Sequence, residues 1–306
     1  MKSFFIVNPR AANGAAGRRW VELDARIERA VGPHGMAFTV GPQHAEKLTR
    51  EALREGYDCI VAVGGDGTLN EVVNGFFDGE ERISPEAKLA VVPFGTGGDF
   101  RRTFDWTRRL EDSLQRLSRG RTRTLDVGEA TFEDHGGARV RRYFVNVLSF
   151  GVSGEVVHQV NHTTKALGGR TSFYVGTVKA MMGYRDQPMR VRLDDGPEQE
   201  WTVTAVAVAN GQYFGGGMCV APNADPSDGL FDVTLWTGYR LFDFAVKGPA
   251  LYSGRHVKLA GTQTFRCRTL EARSLDAPVR LDVDGEQPGH APVRVRMRPG
   301  ALTLVA

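Results

Sequence analysis

The stretch Val61-Ala62-Val63-Gly64-Gly65-Asp66-Gly67-Thr68-Leu69-Asn70-Glu71 decides how this chain is read. The run Cys59–Val63 is β-branched and apolar, the mark of a buried strand, and it breaks into Gly64, Gly65 and Gly67. A helical pattern resumes at Leu69-Asn70-Glu71-Val72-Val73-Asn74-Gly75. Strand, glycine turn and helix start together aim bare backbone N–H groups and a positive helix end at a phosphate. Neither common phosphate-loop spacing fits, since there is no Gly-Lys-Ser/Thr ending and no G-x-G-x-x-G. An acid, Asp66, sits inside the anion nest instead. It would repel phosphate there unless it orients a metal, a water or a ribose hydroxyl. A helix-capping role explains the acid and one glycine, but not Thr68 and the Asn70-Glu71 pair. The combination points to nucleotide chemistry.

Around this stretch, strands and helices alternate. Strands are expected at Phe4–Val7, Ala37–Val40, Cys59–Val63 and Leu89–Val92. Helices are expected at Arg18–Val31, Ala45–Arg54, Leu69–Phe77 and Leu110–Leu117. Such alternation means βαβ units and a parallel, Rossmann-like sheet flanked by helices, whose ligands bind beyond the strand C-termini. Past a linker near Gly120–Thr124 the texture becomes strand-rich. Strands are read at Leu125–Thr131, Arg139–Val147, Met189–Leu193, Trp201–Ala209, Leu230–Trp236, Thr264–Ala272, Val279–Val283 and Pro292–Met297, with helices at Gly154–Val160, Thr171–Met182 and Leu241–Tyr252. The fold class is therefore an α/β domain over residues 1–124 followed by a β-rich sandwich domain over 125–306. The last strand has the option of packing back on the first domain.

Bulk composition narrows the function classes. The 306 residues carry a net charge of +3, which suits phosphate-bearing ligands or an anionic membrane surface and falls far short of a nucleic-acid footprint. Cys59, Cys219 and Cys267 show neither disulfide nor zinc spacing, so a reducing cytoplasm is expected. No secretory leader and no apolar run of roughly 20 residues is visible. The histidines do not cluster as metal ligands, and no Ser/His/Asp or Cys/His constellation stands out.

Other loops qualify as site material. Asn8-Pro9-Arg10, with Gly14 and Gly17, follows the first strand; it reads either as a phosphate contact or as a capped turn. Pro93-Phe94-Gly95-Thr96-Gly97-Gly98-Asp99-Phe100 is a second glycine-dense loop at a strand end. Asp225-Pro226-Ser227-Asp228-Gly229-Leu230 suits a hard cation and a hairpin turn equally. Leu281-Asp282-Val283-Asp284-Gly285-Glu286 is a hairpin signal first. Arg294, Arg296 and Arg298 alternate on one strand face opposite Val295 and Met297, the pattern of a solvated face or of a membrane or phosphate contact.

Taken in order, these motifs resemble the diacylglycerol kinase catalytic-domain family of bacterial lipid kinases, related to sphingosine, ceramide and, more distantly, NAD kinases. The resemblance runs from Asn8-Pro9 through Gly64–Glu71, Pro93-x-Gly95-Thr96, Asn146-x-x-Ser149-x-Gly151, Asn210-Gly211-x-x-x-Gly215-Gly216-Gly217, Ala221-Pro222 and Asp228-Gly229-Leu230-Phe231 to Asp284-Gly285-Glu286. It implies an ATP-dependent kinase that phosphorylates a lipid hydroxyl, diacylglycerol-like or phosphatidylglycerol-like, in a cleft between the two domains. ATP would lie on Asn8, Pro9, Arg10, Gly14, Gly64, Gly65, Asp66, Gly67, Thr68, Leu69, Asn70 and Glu71, with Thr39, Gly95, Thr96 and Gly97 assisting. Mg²⁺ would be held by Asp225, Asp228 and the Leu230 carbonyl. Glu286 would accept the alcohol proton, with Asp284 and Asp66 completing the catalytic set. Segments Phe144–Val152 and Tyr174–Tyr184 would wall the lipid pocket. Transient contact with the inner membrane face follows from such a substrate, and a homodimer is compatible with it. The alternatives are an NAD kinase-like enzyme and a non-catalytic nucleotide- or lipid-binding module. Two departures stand out. Gly98 replaces the usual Asn, and Ala15-Ala16 stand where relatives carry a Lys, leaving Arg10 or Arg18 to supply that charge.

Overall fold

The structure is a computed structural model that describes residues 1–94, 98–162 and 176–306. The chain separates into two compact units, Met1–Leu125 with Gly300–Ala306, and Asp126–Pro299.

In the first unit four strands run parallel in the spatial order Gly35–Phe38, Ser3–Val7, Cys59–Gly64, Lys88–Pro93. The chain's last residues join them, Thr303 and Leu304 lying beside Lys88 and Leu89. Helices Trp20–Val31 and Leu110–Arg119 bury Leu23, Ile27, Leu114 and Leu117 against Phe5, Val61 and Val92. His44–Arg54 and Asp66–Gly75 pack on each other and on the central strands. Each large side chain taken fully out of water there, Ile60 and Leu89 among them, contributes about 1.5–3 kcal/mol. The strand order reverses between Ser3–Val7 and Cys59–Gly64, so the loops following Val7 and Gly64 share a topological switch point. That is where open α/β sheets bind ligands.

Three expected elements differ here, the helix expected at Leu69–Phe77 running from Asp66 to Gly75. The helix expected from Arg18 begins at Trp20, after a separate turn, Ala15–Arg18. The second strand is Gly35–Phe38, two residues earlier than expected, because its pairing ends with Val7 opposite Phe38 and Val40 is left 77% exposed.

In the second unit two sheets enclose an apolar core. One holds Gln199–Val203, Gln187–Leu193, Thr269–Ser274, Gly289–Val305, Thr122–Asp134 and Arg139–Phe144, in that order. The other holds Thr262–Cys267, Phe231–Trp236, Ala205–Ala209, Val147–Gly151 and Leu281–Val283, all antiparallel. Phe132, Phe144 and Val203 from the first meet Phe150, Val208 and Phe231 from the second. Three expected strands prove to be pairs. Arg139–Val147, Trp201–Ala209 and Thr264–Ala272 each break, at Val145-Asn146, Thr204 and Arg268, and pass from one sheet to the other. The expected linker is largely absorbed into the strand Thr122–Asp134. Of the helix expected at Thr171–Met182, residues 176–181 are helical and Thr171–Val175 lie outside the described residues. Among the described residues no helix is long and apolar enough to cross a membrane.

Candidate active site

At the switch point of the first unit, side chains tie the strand-end loops to one another. Asn8 donates through Nδ2 to Thr68 Oγ1 at 3.1 Å, while its Oδ1 accepts the Arg10 N–H at 3.0 Å. Gly64 must be glycine, since a Cβ there would lie 2.5 Å from Thr68 Oγ1. The helix Asp66–Gly75 starts immediately after Gly65, so its first-turn N–H groups and dipole face the loop after Val7.

Asp66 does not cap its own helix. Its Oδ2 accepts the amides of Gly98 at 2.9 Å and Asp99 at 3.0 Å, and its Oδ1 accepts that of Phe100 at 3.3 Å. The carboxylate thus caps the short helix Asp99–Thr103 and fastens the second glycine loop to the first. Gly98 has φ +80°, the left-handed region that glycine and asparagine both enter readily. The exchange of the usual Asn for Gly98 keeps this backbone and removes only a side-chain amide. Gly95, Thr96 and Gly97 lie outside the described residues.

The remaining expected nucleotide contacts divide. Arg10 is exposed beside the cradle. Gly14 ends the loop with φ +82°, and Arg18 Nη1 donates to the Asn13 carbonyl at 3.1 Å. Thr39 donates its amide to the Val7 carbonyl at 2.9 Å, at the rim of the same sheet edge. Leu69 is buried and its amide is spent on the Gly65 carbonyl, so it packs the core. Glu71 turns to another helix, accepting the amides of Gln43 at 2.9 Å and Ala45 at 3.0 Å. Asn70 is half-buried, with the Asn74 amide 2.9 Å from its carbonyl.

In the second unit, Glu286 is exposed on the tight turn Val283–Glu286, closed by Val283 N to Glu286 O at 2.8 Å and the reverse bond at 3.1 Å. Asp284, at φ +50°, accepts three consecutive amides: Val145 at 3.1 Å, Asn146 at 3.1 Å and Val147 at 2.9 Å. It clamps this turn to the break between two strands. Asn146 and Asn210, both in motifs singled out above, secure the same break. Asn146 donates to the Tyr213 carbonyl at 2.6 Å, and Asn210 to the carbonyls of Asp126 and Val145, each at 2.9 Å.

The turn at 225–230 has hard oxygen donors, but its charges are already answered. Asp225 Oδ1 accepts the Ser227 hydroxyl at 2.7 Å. Asp228 Oδ1 accepts the Leu230 amide at 3.0 Å, and Arg266 pairs with its other oxygen. Arg266 also lies 3.3 Å from Asp232. Among the described residues no group of three His, Cys, Asp or Glu side chains could hold a metal ion. A resident Mg²⁺ would have to displace a guanidinium, so these residues do not fit it.

A cavity of about 80 Å³ in the same unit is lined by Val152, Val156, Met181, Phe214, Trp236 and Leu251 with hardly any polar surface. Val152 and Met181 come from the two segments expected to wall a lipid pocket; Tyr174 and Val175 lie outside the described residues. Burial pushes the thiols of Cys59 and Cys267 up to about 12 and raises that of Cys219, which disfavours a reactive thiolate at each.

Comparison with known proteins agrees with this layout. Residues 2–130 match the diacylglycerol kinase catalytic domain, and residues 146–306 match the YegS C-terminal NAD kinase beta sandwich-like domain. The chain belongs to the diacylglycerol kinase family of lipid kinases. It is 26% identical over 303 residues to a diacylglycerol kinase of Mycobacterium tuberculosis, covering 98% of this chain and 93% of that protein. A diacylglycerol kinase from Bacillus anthracis shares the fold with TM-score 0.71 at 21% identity, over 99% of this chain and 96% of that one. The yeast NADH kinase fold is also similar, with TM-score 0.56 at 12% identity, over 100% of this chain and 83% of that one. The α/β and β-sandwich fold class is therefore that of the lipid kinases and the NAD kinases.

Sequence reading overlooked the buried carboxyls that hold these loops. Asp126, 1% exposed, accepts the Gly229 amide at 2.7 Å and so fixes the 225–230 turn. Glu129 is ringed by Arg141 at 3.0 Å, Arg296 at 2.8 Å and Arg298 at 3.0 Å, which hold its carboxyl below the usual range against the cost of burial. The visible signal was an acid within an apolar strand, and it identifies a carboxyl without identifying its partner.

Proposed function

We propose that this lipid kinase transfers the γ-phosphoryl group of ATP, supplied as its magnesium complex, to the hydroxyl of a membrane lipid. The observation that carries the reading is the tied set of strand-end loops, Asn8 to Thr68 and Asp66 to Gly98–Phe100, at the switch point of the parallel sheet. Phosphoryl transfer requires little covalent chemistry of the protein, mainly fixed positioning and charge neutralisation. The free amides at the start of the helix Asp66–Gly75, with Arg10, suit the triphosphate. In this reading Asp66 acts by positioning, holding the Gly98 loop against the Gly64 loop.

Glu286 serves as the general base. It accepts the lipid hydroxyl proton while the alcohol oxygen bonds to the γ-phosphorus and the bond to the ADP oxygen breaks. Asp284 holds the turn that presents it. The similarity to a diacylglycerol kinase supports an acceptor with a hydrocarbon tail over a dinucleotide. Diacylglycerol, phosphatidylglycerol and sphingoid bases all offer such a hydroxyl.

The test is ADP release from ATP with mixed micelles of each lipid, run beside NAD in the same buffer. Turnover with a lipid and not with NAD supports the reading; turnover with NAD alone, or ATP binding without any turnover, overturns it.

A further inference from the structure

Three acids alternate along the strand Leu281–Val283 and its turn: Asp282, Asp284 and Glu286. Glu286 is the proposed base and Asp284 the outer clamp, while Asp282 has no part in either role. It is 2% exposed and stands directly opposite Ser149 in the antiparallel pair with Val147–Gly151. One carboxyl oxygen is 3.0 Å from Ser149 Oγ, and the other accepts the Gly285 amide, inside the turn, at 2.8 Å.

No cation answers this group among the described residues. On its own turn it faces Asp284 and Glu286, both negative. The opposite strand offers the Ser149 hydroxyl. The helix Val152–His162, which packs on this strand, commits its Glu155 to Arg280 at 2.9 Å. A carboxylate ionised in that place would be a buried charge with two neutral hydrogen-bond donors, Gly285 and Ser149, but no counter-charge, beside two like charges. Burial accordingly pushes Asp282 up to about 7.

We propose that Asp282 is a positioning residue for the kinase reaction, a proton-bearing carboxyl that pairs with the Ser149 hydroxyl and holds the Glu286 turn from within. The inference rests on the kinase reading above. Asp284 fastens the turn from one side through the Val145–Val147 amides, and Asp282 fastens it from beneath through Gly285. Loss of the Asp282 proton adds a third negative charge at the turn, which drives Glu286 from its place and disfavours the approach of phosphate.

The test uses the full chain and the lipid that supports turnover, with kcat and KM measured across the neutral range. Asp282→Asn keeps both bonds, its oxygen accepting from Gly285 and its amide donating to Ser149, but it cannot ionise. Wild-type kcat is expected to fall on the alkaline side of about pH 7, a limb that Asp282→Asn lacks. Asp282→Ala is expected to lose roughly tenfold or more in kcat with KM for ATP unchanged, the signature of a displaced group rather than of lost binding. Ser149→Ala should act in the same direction, and the double variant should be no worse than the poorer single one. Thermal melts confirm that each variant is folded. An alkaline limb that persists in Asp282→Asn, or an Asp282→Ala enzyme with wild-type kcat, overturns this proposal alone. A wild-type protein that turns over no lipid overturns the kinase reading and this proposal with it.

Discussion

At the scale of single residues, carboxylates do different work according to what surrounds them. Glu286 is exposed, Asp284 is saturated by three amides, and Asp282 is buried without a counter-charge. In the proposed reaction the base is the exposed one, Glu286. Glu286→Gln is therefore expected to lower kcat by roughly 10²–10⁴-fold while leaving ATP binding intact, measured by lipid-dependent ADP release and nucleotide titration. Undiminished turnover would refute its role. Asp282 also leaves a mark on stability. Burial pushes its folded carboxyl up to about 7 from the ordinary 3.8, so the folded state binds that proton more tightly. Its stabilising contribution is complete below 3.8, falls as pH rises to about 7, and stays flat beyond. Denaturant titrations should show wild-type stability declining across that window by an amount on the order of a few kcal/mol, a decline that Asp282→Asn abolishes. An identical slope in both proteins would contradict this. The acid at 282 could be read from the sequence. Its proton could not, because that follows from burial of the carboxyl beneath the turn without a counter-charge, a property of the packed sheets and not of the strand's own residues.

At the scale of elements, the strand–glycine–helix stretch 61–71 was legible because three signals agree there: a β-branched run, clustered glycines and a resumed helical period. The Gly95–Phe100 loop offers two of these signals, the preceding strand and the clustered glycines, and the short helix Asp99–Thr103 has no helical period long enough to read. What could not be read is that Asp66 of the first loop caps the helix that ends the second, since a cap is ordinarily sought within its own turn. Glu71 makes the same kind of reach, capping the helix His44–Arg54 instead of meeting a ligand. Asp66→Ala should therefore cost about 1 kcal/mol or more in global stability and, by releasing the Gly98 loop, weaken ATP binding. Calorimetry of unfolding and nucleotide titration measure the two effects. A variant that weakens neither would show that the two loops are held independently of Asp66. Gly64→Ala, which drives a methyl group to 2.5 Å from Thr68 Oγ1, is expected to cost about 1–3 kcal/mol by thermal unfolding.

At the scale of the whole molecule, fold class and architecture were legible, but the paths of individual strands were not. The runs 139–151, 199–209 and 262–274 are nearly continuous in β-forming residues, and each changes sheets partway. Apolar alternation reports that a face is buried and not which sheet buries it. The 225–230 turn carries a similar lesson, because its spacing suits a hard cation and a hairpin turn equally and does not disclose that Arg266 pairs with Asp228. Mg²⁺ alone should accordingly leave the melting temperature unchanged, whereas Mg²⁺ with ATP should raise it through linkage to the nucleotide site. A rise with Mg²⁺ alone would place a resident ion in the protein. The most direct measurement is transfer of label from γ-³²P-ATP during incubation with extracted lipids, followed by solvent partition and mass identification of the labelled product. Label is expected in a phosphorylated lipid with the wild-type chain and not with Glu286→Gln; label confined to water-soluble products, or equal labelling of lipid by Glu286→Gln, would contradict the assignment.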